Sequence, residues 1–130
     1  MPTLKKRVEA SELPVEQIII LGSGILDALG LREARDLDAI VEPSLFEALQ
    51  AAGEYDCGVK DGDRYCRATG VELWHTWFGR TYDQVLTESV VIDDLRYGSI
   101  EATIADKLRL GRDKDLADIK LLENYLERQH

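Results

Sequence analysis

The chain is poor in the residues that most often announce a site. Its 130 residues include two histidines and two cysteines. His75, in "LWHTW", has no second histidine nearby to complete a zinc site, so it reads as a packed strand residue. Cys57 and Cys66 lie outside any Cys-x-x-Cys motif, and two reduced thiols are the expected state in a cytoplasmic protein. A hairpin would be the way to bring them together. No apolar run approaches the roughly 20 residues that a membrane helix needs. The opening stretch "MPTLKKRVEASELP" is basic but lacks the apolar region of a secretory signal. A cytoplasmic location, with no membrane contact, is the expectation. Positive charge is also short: 16 Lys and Arg stand against 25 Asp and Glu, for a net charge of -9. Such a balance argues against a general binder of nucleic acid or anionic membrane, and leaves room only for a local basic pocket. Repeats, low-complexity tracts and linker-like stretches are missing as well.

What is present describes a globular chain. Hydrophobic residues make up 45% and charged residues 32%, and a single domain over residues 1–130 is expected. A domain of this size buries roughly two-thirds of its unfolded surface, enough for a core without staples. Residues 4–12 read as a short charged helix ended by Pro14. "EQIIILG", 16–22, is continuously apolar and suits a strand covered on both faces. "SGILDALGLREA" reads as a short helix, and "DLDAIVE", 36–42, as a second strand. Pro43 and Gly53 bracket a helix. "DGD" at 61–63 supplies the turn of a hairpin between Tyr55 and Arg67. "GVELWHTW", 70–77, alternates like a strand, which would put Trp74 and Trp77 on opposite faces. A helical turn over 82–88 and a last short strand, "SVVID", follow. Ile100, Ile104 and Leu108 form one helical stripe stopped by Gly111; Leu116, Ile119, Leu122 and Leu126 form another on a helix from Asp113 to Arg128. The expected class is α/β or α+β, a small mixed sheet with helices packed on it and two helices at the C-terminal end.

The acids in the second strand raise the chemical question. Strand residues two apart point to one face, so Asp36 and Asp38 should project together. Like charges that close raise each other's pKa unless a cation lies between them, and Mg²⁺ with its oxygen ligands would resolve that cost. Just upstream, Gly22 permits close backbone approach, and the helix after Ser23 would aim its N–H groups at a phosphate. Glu72, in "GVELW", is a third acid in a strand. If that strand neighbours the one with Asp36 and Asp38, three carboxylates would meet, enough for one or two Mg²⁺ ions, with Glu72 also placed to take a proton.

This order of features resembles the nucleotidyltransferase superfamily with the DNA polymerase β-type fold: an apolar strand, Gly22-Ser23, a strand bearing Asp-Leu-Asp, and a later Val-Glu-Leu. Arg32, four residues before Asp36, and the tail "KLRLGRDKDLADIKLL", 107–122, are similar to its small bacterial branch, the minimal, AbiEii-like and lincosamide-type enzymes. The resemblance implies transfer of a nucleoside monophosphate from a nucleoside triphosphate to a small-molecule or protein hydroxyl, with release of pyrophosphate. It implies nucleotide binding by Gly22, Ser23, Arg32 and Lys107, with Arg112 and Lys114 as weaker candidates. It implies Mg²⁺ on Asp36, Asp38 and Glu72, which are also the catalytic residues. The plain alternative for Arg112, Lys114, Asp115 and Asp118 is a set of helix-surface charge pairs worth a few tenths of a kcal/mol. Gly24 follows Ser23 without the arginine that minimal antitoxin-type members carry there. An inactive, antitoxin-like protein that binds a partner is therefore the second reading, and a Mg²⁺-dependent phosphohydrolase a third. Neither the nucleotide, the acceptor nor the oligomeric state, homodimer included, is encoded in these motifs.

Overall fold

The computed structural model describes residues 4–129. Residues 1–3 and 130, the two ends of the expected domain, lie outside the described residues.

Seven strands form one mixed sheet: β1 (Ile18–Leu21), β2 (Leu37–Val41), β3 (Asp56–Lys60), β4 (Asp63–Ala68), β5 (Val71–Trp74), β6 (Ser89–Ile92) and β7 (Leu95–Gly98). Their order across the sheet is β3-β4-β5-β2-β1-β7-β6. The helices are α1 (Leu4–Ala10), α2 (Gly24–Ala28), α3 (Pro43–Ala52), α4 (Tyr82–Thr87), α5 (Ile100–Leu110) and α6 (Asp113–Arg128). The protein is thus an α+β structure, with α5 and α6 as its C-terminal pair. Among the described residues, no helix is long and apolar enough to cross a membrane.

The centre of the sheet follows from β-branched residues. All four residues of β1, "IIIL", are buried, because helices cover both faces of the strand. Alternation sorts the side chains into two layers. Ile18, Ile20, Ala39, Val41 and Leu73 join the main core with Leu4, Val8, Leu26 and Phe46. Ile19, Leu21 and Ile40 point to the opposite face, under Tyr82 and Val85 of α4. Asp38 pairs with Leu21 across the antiparallel β1–β2 ladder and with Glu72 across the parallel β2–β5 ladder. Both acids therefore lie on the α4 face, which has the smaller apolar cover.

Four details differ from the sequence expectation. The helix after Ser23 spans only Gly24–Ala28, because Gly30 adopts φ +73° and turns the chain out. So short a helix has little dipole with which to hold a phosphate. The sheet gains β7, paired antiparallel to β6 and parallel to β1. Asp93 and Asp94 turn that hairpin with φ +49° and +67°, conformations usually left to Asn-Gly or Asp-Gly. Strand β5 stops at Trp74, so Trp74 and Trp77 are not opposed across a sheet; their rings meet edge-to-face at 5.3 Å. Finally, Cys57 and Cys66 are bonded and not free thiols. They are direct cross-strand partners in the β3–β4 hairpin, a position that brings side chains within bonding reach.

The two helical stripes also divide. Ile100 and Ile104 pack on the core, whereas Leu108 and Leu116 are exposed. Ile119 and Leu122 are buried, and beside them so are Lys107, Asp115 and Asp118. His75 is half-buried and packs against the Phe46 ring at 5.3 Å.

Candidate functional site

A cavity of about 590 Å³ opens where β1 ends and β2 begins, closed from above by α5 and α6. Gly22, Ser23, Arg32, Asp36, Asp38 and Lys107 all line it. Six of the seven residues singled out in the sequence are thus brought to one place. Glu72 is the exception: it sits beside Asp38 on β5, but its carboxylate turns to Arg67, at 3.7 Å, and does not line the cavity. Among the described residues, no three His, Cys, Asp or Glu side chains gather closely enough to enclose a metal ion.

Gly22 has a specific reason to be glycine. Its φ is +62°, and a Cβ there would stand 3.3 Å from Asp38 Oδ2. Any other residue would meet strain and crowd the carboxylate. Asp36 precedes β2 and is exposed, held near its place by the neighbouring Leu37 N–H, which donates to the Gly70 carbonyl. Asp38 is half-buried, and burial pushes its carboxyl up to about 6, assisted by the charges of Glu72 and Asp36. The Trp74 indole N–H and Lys107 pull the other way. That indole N–H is buried and near enough to Asp38 to be felt, yet it makes no hydrogen bond. Asp38 therefore sits in an acidic, poorly compensated corner, which a cation would relieve.

The cations on the other side of the cavity are organised by an acid that the sequence reading left on the helix surface. Asp118, 4% exposed, accepts from Arg32 through both carboxylate oxygens, at 2.7 Å each, and lies 2.9 Å from Lys107 Nζ. Burial raises its carboxyl, but the bonds from Arg32 and Lys107 outweigh that and hold it at about 2. Ser23 Oγ is enclosed by the same group, accepting from Arg32 at 2.6 Å and from Lys107 at 3.4 Å. Asp115, 1% exposed, lies 3.7 Å from Lys107 and 2.6 Å from Arg112 Nε. The surface-pair reading holds in part: Arg112 and Asp115 form an i,i+3 pair, and Arg112 and Lys114 are exposed. Asp115 and Asp118, in contrast, face inward and tie α6 to Lys107 of α5 and to Ser23 and Arg32. Their burial could be glimpsed only in the helical spacing of Asp115 and Asp118 with Ile119 and Leu122.

Two lining cations, Arg35 and Lys114, form no ion pair among the described residues. The cavity is thus sorted by charge: Asp36 and Asp38 uncompensated at one end, Arg35 and Lys114 uncommitted, and between them a paired network of three cations and two acids. Such an arrangement can hold a hard cation and an anionic ligand side by side, since the oxygen-only donors suit Mg²⁺ and the free cations suit phosphate.

Protein-family models, curated proteins and solved structures were each compared with the chain, and none matches it.

Proposed function

We propose that this protein is a Mg²⁺-dependent nucleotidyltransferase of the DNA polymerase β type, moving a nucleoside monophosphate from a nucleoside triphosphate to a hydroxyl acceptor. The observation that carries the reading is the charge-sorted cavity: paired aspartates after a glycine turn that only glycine fits, facing cations with no internal partner. Bound at Asp36 and Asp38, with Glu72 one strand away as third ligand, Mg²⁺ would offset the charge of the phosphates. The chain's own groups do the rest. Gly22 and Ser23 leave backbone room for the triphosphate, and Arg35 and Lys114 neutralise it. Arg32 and Lys107, which share Asp118, position Ser23 and border the phosphates with positive charge only partly offset. Glu72, released from Arg67, takes the proton of the acceptor hydroxyl. That oxygen then bonds to the α-phosphorus as the bond to pyrophosphate breaks.

Calorimetry with ATP, GTP, CTP and UTP tests the reading. At least one should bind with Mg²⁺ and lose affinity in EDTA; no heat with any of the four at millimolar concentration sinks the proposal. Pyrophosphate, not orthophosphate, should appear on turnover.

One observation favours a second reading, an inactive partner-binding protein. Asp118 already satisfies Arg32, Lys107 and Ser23 without any ligand. A co-purifying partner, with biological activity unchanged in an Asp36→Asn, Asp38→Asn double variant, would establish that reading over the first.

A further inference from the structure

A second cavity, about 430 Å³, adjoins the first and shares Trp77 and Leu110 with it. Its wall is mainly aromatic: Trp74, Trp77 and Phe78 line it. The three rings meet edge-to-face, Trp74 on Trp77 at 5.3 Å and Trp77 on Phe78 at 5.0 Å. Tyr65 packs on Trp74 at 5.5 Å, and the Arg109 guanidinium stands over Phe78, 5.4 Å from its ring centre. Ring surface open to a ligand therefore lies on Trp77 and on the face of Phe78 away from Arg109.

The loop that presents these rings is built at some cost. Phe78 adopts φ +51°, a conformation disfavoured for a bulky residue. Asp63, buried at 8% exposure, holds it there, accepting from the N–H groups of Phe78 and Gly79 at 3.0 Å each and from Thr76 Oγ1 at 2.7 Å. Trp77 is fixed in turn by its indole N–H, which donates to Asp106 at 2.9 Å. That buried carboxylate fixes the Thr76–Gly79 turn, and with it places the half-buried Phe78 ring between Trp77 and the Arg109 guanidinium at the edge of the cavity. The third ring comes from β5 and not from that loop. Trp74 is 6% exposed, and its indole N–H is turned toward Asp38, whose carboxyl it lowers without reaching full hydrogen-bond geometry. That contact leaves the flat face of Trp74, and not its N–H, as the part that borders the second cavity.

We propose that this second cavity binds a planar ring, stacked on Trp77 and on the open face of Phe78. The volume is that of a small-molecule site, and stacking on aromatic side chains is tolerant of ring identity. Two ligands share this chemistry: the base of a nucleoside triphosphate seated in the first cavity, and the ring of an aromatic acceptor. Ring binding itself does not require the nucleotidyl-transfer reading, because it involves neither metal nor phosphate.

The chain's only two tryptophans are Trp74 and Trp77, so their emission reports this cavity and its border with the first, and the Phe78→Leu variant separates the two. Adenosine and benzyl alcohol are titrated separately into the full chain in EDTA without phosphate. A saturable change with adenosine alone assigns the cavity to the nucleotide base; one with benzyl alcohol alone assigns it to an acceptor. Either ring response should weaken about tenfold in Phe78→Leu, which keeps apolar bulk and loses the ring. Inorganic triphosphate should not compete. The proposal is overturned if neither ring gives a saturable change, or if a folded Phe78→Leu protein binds as tightly as the parent. A failure of Mg²⁺-dependent nucleotide binding would leave this result untouched, which keeps the two claims separable.

Discussion

Asp38 has a carboxyl raised to about 6 in the folded chain, against about 3.9 in an unfolded one. The folded state therefore prefers the protonated form. Its contribution is most favourable below about pH 4 and is lost as pH rises through 6, a change on the order of 2 kcal/mol for a half-buried group. Asp118 has the opposite sign. Held at about 2, it stabilises the fold above about pH 4 and loses that contribution as pH falls toward 2. In EDTA the melting temperature of the parent should thus decline between pH 4.5 and 7 by more than that of Asp38→Asn, which cannot ionise there. Adding Mg²⁺ at pH 7 should raise the parent's melting temperature and leave the variant unmoved. Parallel melting curves for the two proteins from pH 4.5 to 7 would show that Asp38 carries no such burden.

At the scale of elements, α5 and α6 share the main core with Ile25 and Leu26 of α2 and are joined to its start also by Lys107 and Asp118 meeting Arg32 and Ser23. Removing one partner of a buried ion pair leaves the other charge unmatched, at a cost of about 3 kcal/mol or more. Asp118→Asn should therefore lower unfolding free energy in urea by about that amount, whereas exposed Asp113→Asn should change it by less than about 0.5 kcal/mol. Equal small losses would return Asp118 to the helix surface. The sequence showed these two helices and their stop at Gly111, because helical periodicity is a strong signal, but not which way their charges face. Asp115 and Asp118 share the helical stripe of Ile119 and Leu122, but their pairing with Lys107 and, for Asp118, with the distant Arg32 is what makes them core residues. The same limit hid β7: Asp93-Asp94 lacks the glycine that normally marks a tight hairpin, so "LRYG" looked like a loop. In contrast, Gly22, Asp36 and Asp38 were legible together, because a glycine turn and a two-residue strand period are both local. Glu72 was legible as Asp38's neighbour, but its turn toward Arg67 was not, since that pairing depends on β4 lying at β5's other edge. The bonded Cys57 and Cys66 were missed for a different reason, an expectation about compartment that outweighed a hairpin already visible in the turn residues.

For the molecule as a whole, the net charge of -9 repels anionic ligands at a distance, so a nucleotide can be held only where local charge reverses that field. In the first cavity five cations and five acids balance, so bound Mg²⁺ would make the local charge positive. The cavity lining comes from three segments, 22–23, 32–38 and 103–121, with Trp77. The disulfide-bonded β3–β4 hairpin stands at the far edge of the sheet, away from it. Binding of Mg²⁺ and a nucleoside triphosphate should therefore slow amide hydrogen exchange in those three segments at once. Strands β1 and β2, buried at the centre, should already exchange slowly, and β3 should exchange rapidly whether or not nucleotide is present. The joint response is the informative part, because nonspecific binding of a polyanion to exposed lysines would protect scattered segments without involving 22–23 or 32–38. Protection confined to the hairpin or to α1, with 32–38 unchanged, would place the nucleotide elsewhere and remove the cavity from the account.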